Sequence, residues 1–156
     1  MQVDQRAVAI LWHNVVSHFQ SRRPSWFMAA LTFGGGVVLT INPTMLTDSI
    51  NAKLYFVHMA SLAPQWFWRM MFLTVGTSRL IALTVNGSFP ALWWMPPVRV
   101  ASTGVSAILW AELALSVVGG PVAFGTLIYP SLFVVELSNV RQAIRESWGC
   151  YGRGRG

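Results

Sequence analysis

Apolar residues along this chain come in long runs broken by short polar or proline-rich connections, and run length is what predicts structure. From Trp26 to Ile41 every residue is apolar or small except for two threonines. That predicts a helical span slightly short of the ~17–25 residues that usually cross a bilayer. Asn42 to Lys53 is a polar connection, where Asp48 or Ser49 is placed to cap a short helix ending near Leu62. Pro64 suits a first helical turn, and the chain then runs apolar to Val85 before Asn86-Gly87, a helix stop signal. Ser88 to Pro97 contains Pro90, Pro96 and Pro97 and reads as an irregular connector. A third span covers 98–118, Gly119-Gly120-Pro121 makes a turn, and a fourth covers 122–137 with a kink at Pro130. Glu136 to Trp148 continues as an amphipathic tail helix, and the Gly/Arg-rich stretch from Gly149 to Gly156 is expected to be unstructured.

Ahead of these runs, Val8, Leu11, Trp12, Val15 and Phe19 recur at helical spacing, with Arg6, His13 and Ser17 toward the other side. This segment is too polar to span and predicts an amphipathic helix lying in the membrane surface. Asp4, Arg6, His13 and His18 also interrupt any apolar core of a cleavable signal peptide, so insertion is expected through the internal spans. The predicted fold is therefore all-α: an integral membrane helical protein of about four transmembrane helices plus an N-terminal amphipathic surface helix. Its parts are an interfacial helix at 1–24, a membrane domain at 25–137 (spans 26–41, 64–85, 98–118 and 122–137) and a basic tail at 138–156.

Composition sharpens this picture. Hydrophobic residues make up 54% of the 156 residues and charged ones 10%, well under the ~25% of a soluble domain. Eleven basic residues face five acidic ones, and every basic residue except Lys53 is arginine. Eight tryptophans accompany them, and Trp and Arg are residues of membrane interfaces. Because the arginines are scattered between apolar runs, no specific nucleic-acid partner is expected. With Cys150 alone, no disulfide or cysteine-rich metal site is available within the chain.

Arginine placement predicts orientation. Arg22, Arg23, Arg99, Arg141, Arg145, Arg153 and Arg155 fall on one side of four spans, which puts both termini in the cytoplasm, at a bacterial inner membrane. Trp66, Trp68, Trp93 and Trp94 read as interface anchors, and Arg99 as a positive-inside anchor. The basic tail favours anionic lipids of the inner leaflet. Gly34-Gly35-Gly36 reads as a helix-packing face that would support homo- or hetero-oligomers, since no Lys-Ser/Thr follows to make a phosphate loop.

Arg69, Arg79, Glu112 and Glu136 are the charges a membrane resists, at about 2.5–3.5 kcal/mol each near mid-bilayer. Pro64 to Arg79 and Pro121 to Glu136 are equal fifteen-residue intervals, placing both charges about 22 Å along their helices. Arg69 and Glu112 share a depth in the outer half. Two interhelical pairs follow, Arg79–Glu136 and Arg69–Glu112; the alternative is that the arginines snorkel to the nearer interface. No catalytic constellation is present: there is no His-Glu-x-x-His, Gly-x-Ser-x-Gly or Walker loop, and His58 has no ligand partner one helical turn away. The chain is thus read as non-enzymatic, with no catalytic, cofactor-binding or metal-binding residue and no cofactor.

The Gly-rich first span, Tyr55 and Met59, Ala63-Pro64 followed by Trp68, Gly76, Arg79-Leu80, Asn86-Gly87, Pro97 and Arg99 form an order of features. In this order the stretch Phe33 to Val100 resembles small multi-span membrane proteins of tailed phages and prophages, mostly without assigned activity and some of them holin-like. Gln65, where an acidic residue is usual, and the Gly/Arg tail depart from that pattern. The resemblance implies a phage-type inner-membrane protein: either a holin that permeabilises the host membrane by oligomerising, or a non-lytic component. The latter would be a superinfection-exclusion factor or a structural subunit of a membrane-bearing virion or membrane complex.

Overall fold

The computed structural model describes residues 19, 22–47, 55–88, 95–118 and 124–153. The predicted surface helix, Lys53, and the Trp93 and Trp94 anchors lie outside these residues. Among the described residues five helices follow in order: α1 (Arg23–Ile41), α2 (Val57–Leu62), α3 (Gln65–Ser88), α4 (Met95–Val118) and α5 (Gly125–Arg153). No strand occurs among the described residues.

Proline marks most of the boundaries. Pro24 sits in the first turn of α1, where its missing N–H costs nothing. That helix closes with the Asn42 amide donating to Val38 O at 3.0 Å, just before Pro43. Ala63 is extended, as a residue before proline prefers, and it separates α2 from α3. Two boundaries differ from the sequence expectation. Asn86-Gly87 does not end α3, which continues to Ser88, and α4 begins at Met95 because Pro96 and Pro97 fit a first helical turn. The last span and the tail are one helix, passing through Pro130 and on to Arg153, beyond the Gly149 where order was expected to end.

Contacts between the helices fix their directions. Positions that climb α1 (Phe33, Gly36, Leu39) meet positions that descend α3 (Gly76, Leu73, Gln65), so these two are antiparallel. Arg79–Ser106 with Phe72–Trp110, and Arg99–Glu146 with Trp110–Tyr129, make α3/α4 and α4/α5 antiparallel as well. The result is an up-down-up-down bundle of four long helices, with α2 laid against α4.

Its two halves differ in chemistry. Near the end where α1 meets α2, Leu39, Leu46, Phe56, Met59, Trp68, Phe72, Val75 and Leu109 form an apolar cluster. Toward the other end Met28, Ala29, Ala82, Leu83 and Ala143 are buried together with the polar Ser25, Thr32, Arg79, Arg99, Ser102, Thr103, Ser106, Glu136 and Asn139. Meanwhile Phe27, Ile41, Ile81, Ile108, Leu127 and Val134 face outward. Buried charges together with outward-facing large apolar residues are unusual for a water-soluble bundle. Two helical stretches, Arg23–Ile41 and Pro97–Val118, are long and apolar enough to cross a membrane.

The closest approach is α1 on α3. A Cβ added at Gly76 would lie 2.5 Å from Phe33 Cα, and one at Gly36 would lie 2.7 Å from the Leu73 backbone nitrogen. Gly35 packs on the Phe72 ring, whereas a Cβ at Gly34 would meet nothing within 4 Å. The packing role expected of Gly34-Gly35-Gly36 is thus corrected for Gly34: inside this chain, only its two successors press against α3. We expect Gly76→Ala to lower stability by about 1–3 kcal/mol through overpacking. Gly34→Ala should raise it by roughly 0.5–1 kcal/mol through helix propensity. Thermal unfolding of the purified protein in detergent checks both.

Candidate functional site: a buried polar network

Serine and threonine are tolerated in apolar helices because their hydroxyls can bond the carbonyl one turn back. Thr32 does so, donating to Met28 O at 2.7 Å. Its single proton is then used, so the Ser106 hydroxyl 3.3 Å away must be the donor toward Thr32 Oγ1. Trp110 Nε1 donates to the same oxygen at 3.1 Å. Ser106 in turn accepts from Arg79 Nη1 at 2.6 Å, which fixes the direction of every bond in this part of the chain.

Arg79 also donates to both carboxylate oxygens of Glu136: Nη1 bonds Oε1, and Nη2 reaches Oε2 at 3.3 Å. Glu136 is fully enclosed and Arg79 is 3% exposed. The second carboxylate oxygen accepts as well from Asn139 Nδ2 at 3.0 Å, and Asn139 Oδ1 accepts from the Ser25 hydroxyl at 3.1 Å. All four long helices therefore contribute to one continuous network, running from Ser25 through Asn139, Glu136, Arg79, Ser106 and Thr32 to Trp110. A buried charge pair is tolerable only when its remaining hydrogen-bonding capacity is met in this way.

Glu136, Asn139, Ala143 and Glu146 share the inward face of α5, at three- and four-residue steps. Glu146 forms a second ionic centre at the bundle end. It accepts from Arg99 and from Gln142 Nε2, and Arg22 Nη2 lies 2.7 Å from its Oε2. Arg99 is buried at 6% exposure, so the interfacial-anchor role expected of it is corrected. The signal for this centre was Glu146 itself, an acidic residue in an arginine-rich tail.

Other expected sites divide. The Arg69–Glu112 pair does not form. Glu112 instead has His58 Nδ1 of α2 3.1 Å from Oε2, close enough for an ion pair but without hydrogen-bond alignment. The partner of His58 lies across the bundle on α4, not one turn along its own helix. Trp68 is not an interface anchor either: at 5% exposure it donates to Met59 O (2.9 Å) and Ala63 O (3.2 Å), tying α2 to α3. Trp66, 62% exposed, does face outward. Gln65 is buried and holds the end of α1, accepting from the Leu46 amide at 2.9 Å and donating to Leu39 O at 3.2 Å.

Chain comparison leaves the site without a precedent. No protein-family model, characterised protein or solved structure matches this chain. The arrangement must be read on its own terms, and its chemistry is that of a clamp. Glu136 spends its oxygens on Arg79 and Asn139, and no group of three or more His, Cys, Asp or Glu that would hold a metal occurs among the described residues. An apolar cavity of about 430 Å³ adjoins the network at Trp110, bounded by Gly34, Leu39, Phe72 and Tyr129 among others. It accounts for the open space at Gly34.

Removing one partner of a buried pair strands the other charge, so Arg79→Ala and Glu136→Ala should each cost about 3–5 kcal/mol. The double variant should cost far less than the sum of the two. Additive losses in unfolding measurements would mean that the two side chains do not act as a pair.

Proposed function

We propose that the chain is a four-span, non-enzymatic integral membrane protein of phage type, acting as a non-lytic component that works through contacts in the bilayer plane. The observation that carries this reading is the inverted bundle, with its charges and hydroxyls bound to one another inside and its aliphatic side chains outside. Such an exterior suits lipid or neighbouring helices. A holin-like lesion needs polar faces turned to a shared aqueous lumen. Here the polar faces are engaged within a single chain, which favours superinfection exclusion or a structural subunit over permeabilisation.

Four spans are supported by helix length and direction. At ~1.5 Å per residue, the 24-residue α3 extends roughly 36 Å, and α5 is longer. Beside them run two stretches apolar enough to cross alone. An isolated helix bearing Arg79 would be expensive in lipid, but within the bundle its charge is met by Glu136. Orientation is supported by the meeting of Arg22, Arg99 and Glu146 at one end. That end gathers the start of α1, the start of α4 and the tail, the same arginine-rich segments that favour a cytoplasmic face. Anionic inner-leaflet lipids are the natural neighbours of the tail arginines.

Induced expression in a bacterium tests the role. Growth and membrane potential should persist, whereas an abrupt collapse of potential after a lag would instead establish the holin reading. Topology is checked through Cys150, the single cysteine. A membrane-impermeant maleimide should label it only after cells are opened, and a cysteine introduced at Thr44 of a Cys150→Ser variant should be labelled on intact spheroplasts.

A further inference from the structure

Beyond the polar network, the seam between α1 and α5 opens. These helices run antiparallel and are tied near one end by the Ser25–Asn139 hydrogen bond. Nine residues on from Ser25 stands Gly34, and nine back from Asn139 stands Pro130, next to Tyr129. Gly34 has no neighbour there, since a Cβ on it would meet nothing within 4 Å. Instead Gly34 and Tyr129 both line the open-sided cavity of about 430 Å³. Ala30, Gly34 and Val38 form its α1 wall, at four-residue steps that share one helix face over about 12 Å. Ala30 and Val38 are exposed, whereas Phe56 and Met59 line the cavity from within the apolar core. The lining side chains are apolar apart from the phenol of Tyr129 and the indole of Trp110, whose N–H is already donated to Thr32.

We propose that this cavity is a binding slot for one acyl chain of a phospholipid, entering sideways from the leaflet on the α2 side. The inference rests on the four-span membrane reading above. A void with apolar walls has nothing to offer water and forfeits dispersion contacts while empty, so hydrocarbon is its fitting occupant. Shape selects a lipid chain among hydrocarbons. The slot runs along the helix axes, and its ~12 Å wall is close to the ~15 Å depth of one leaflet. Its length also argues against a helix from a second copy. A rigid spanning helix would continue along the seam and meet the part closed by Ser25 and Asn139, whereas a flexible chain can stop short of it. Glycine at position 34 keeps the slot open in the middle of its wall, because a larger side chain would project into it.

The test uses the full-length protein reconstituted into vesicles of phosphatidylethanolamine and phosphatidylglycerol, with a trace of phosphatidylethanolamine carrying a diazirine midway along one acyl chain. After illumination, adducts are mapped by peptide mass spectrometry. Labelling of the peptides carrying Ala30 to Val38 and Tyr129 should exceed that of peptides carrying the outward-facing Ile81 and Ile108 by about threefold or more, the return of a handful of dispersion contacts. Gly34→Leu should bring labelling of the slot down to the level at Ile81 while keeping Tm and helical circular dichroism. Ala30→Leu, at the exposed rim, is the second variant should Gly34→Leu fail to fold, and it should lower labelling of the slot without altering that at Ile81. Even labelling of the slot and the outward positions overturns the inference, as does labelling unchanged in either variant. A slot labelled by a diazirine fatty acid but not by the phospholipid overturns it too. So does an unlabelled slot in protein that sediments as a dimer, which gives the space to a second copy. Extraction of the vesicles with alkaline carbonate separates this failure from that of the membrane reading. Release of the protein overturns that reading itself, whereas retention with even labelling overturns the lipid slot alone.

Discussion

The bidentate contact between Arg79 and Glu136 is the constraint around which the rest of this bundle is arranged. A charge pair with almost no exposure fixes the rotation and the height of α3 against α5 at once, because a carboxylate and a guanidinium tolerate little misalignment. Once it is set, Ser106 of α4 must face Arg79, and Asn139 must lie one turn from Glu136 to meet its second oxygen. Ser25 and Thr32 then fix α1 from the opposite side through Asn139 and Ser106. A bundle held only by Leu and Phe would allow its helices to slide by a turn at little cost. Directional bonds among the four long helices remove that freedom.

The two ends of the bundle use different physics. At one end, aromatic and aliphatic side chains pack around Trp68, and side chains rather than backbone ladders close the connections: Gln65 occupies the end of α1, and Trp68 Nε1 occupies that of α2. At the other end, ionic contacts and hydroxyl hydrogen bonds sit among smaller buried residues such as Ala29, Ala82 and Ala143. Glycine links the two regimes. Gly36 and Gly76 bring α1 and α3 close enough for the short hydroxyls of α1 to reach partners across the interior. Larger residues at those positions would hold Thr32 away from Ser106.

Much of the helical layout was legible in the chain, because apolar run length and proline position are local signals. The first helix, the short helix ending near Leu62 and the start of the third follow from the apolar run Trp26 to Ile41, the polar connection after it and Pro64. The Arg79–Glu136 pairing was reachable as well, since equal depth along two helices that run in the same direction is arithmetic on residue numbers. What failed was rotation. Equal depth also favoured Arg69–Glu112, but depth says nothing about which way a side chain points, and Glu112 turns toward α2. Trp68 and Arg99 were misplaced for the same reason: residue type marks an interface only on average, and both are turned inward. The hydroxyl-bearing positions Ser25, Thr32, Ser102 and Ser106 passed as bland small residues. Their repetition on one face of otherwise apolar helices was the available clue.

The separation of Arg79 from Glu136 in sequence also has a bearing on how the protein is made. The two positions are 57 residues apart in sequence, so the guanidinium leaves the ribosome well before its carboxylate exists. Under the four-span arrangement, α3 reaches the translocon carrying an unmet charge, and only the arrival of α5 makes its place in the lipid secure. Biogenesis of this bundle is thus ordered by its last helix. Under that arrangement, a nascent chain truncated before Glu136 would hold an α3 whose Arg79 has no counter-ion.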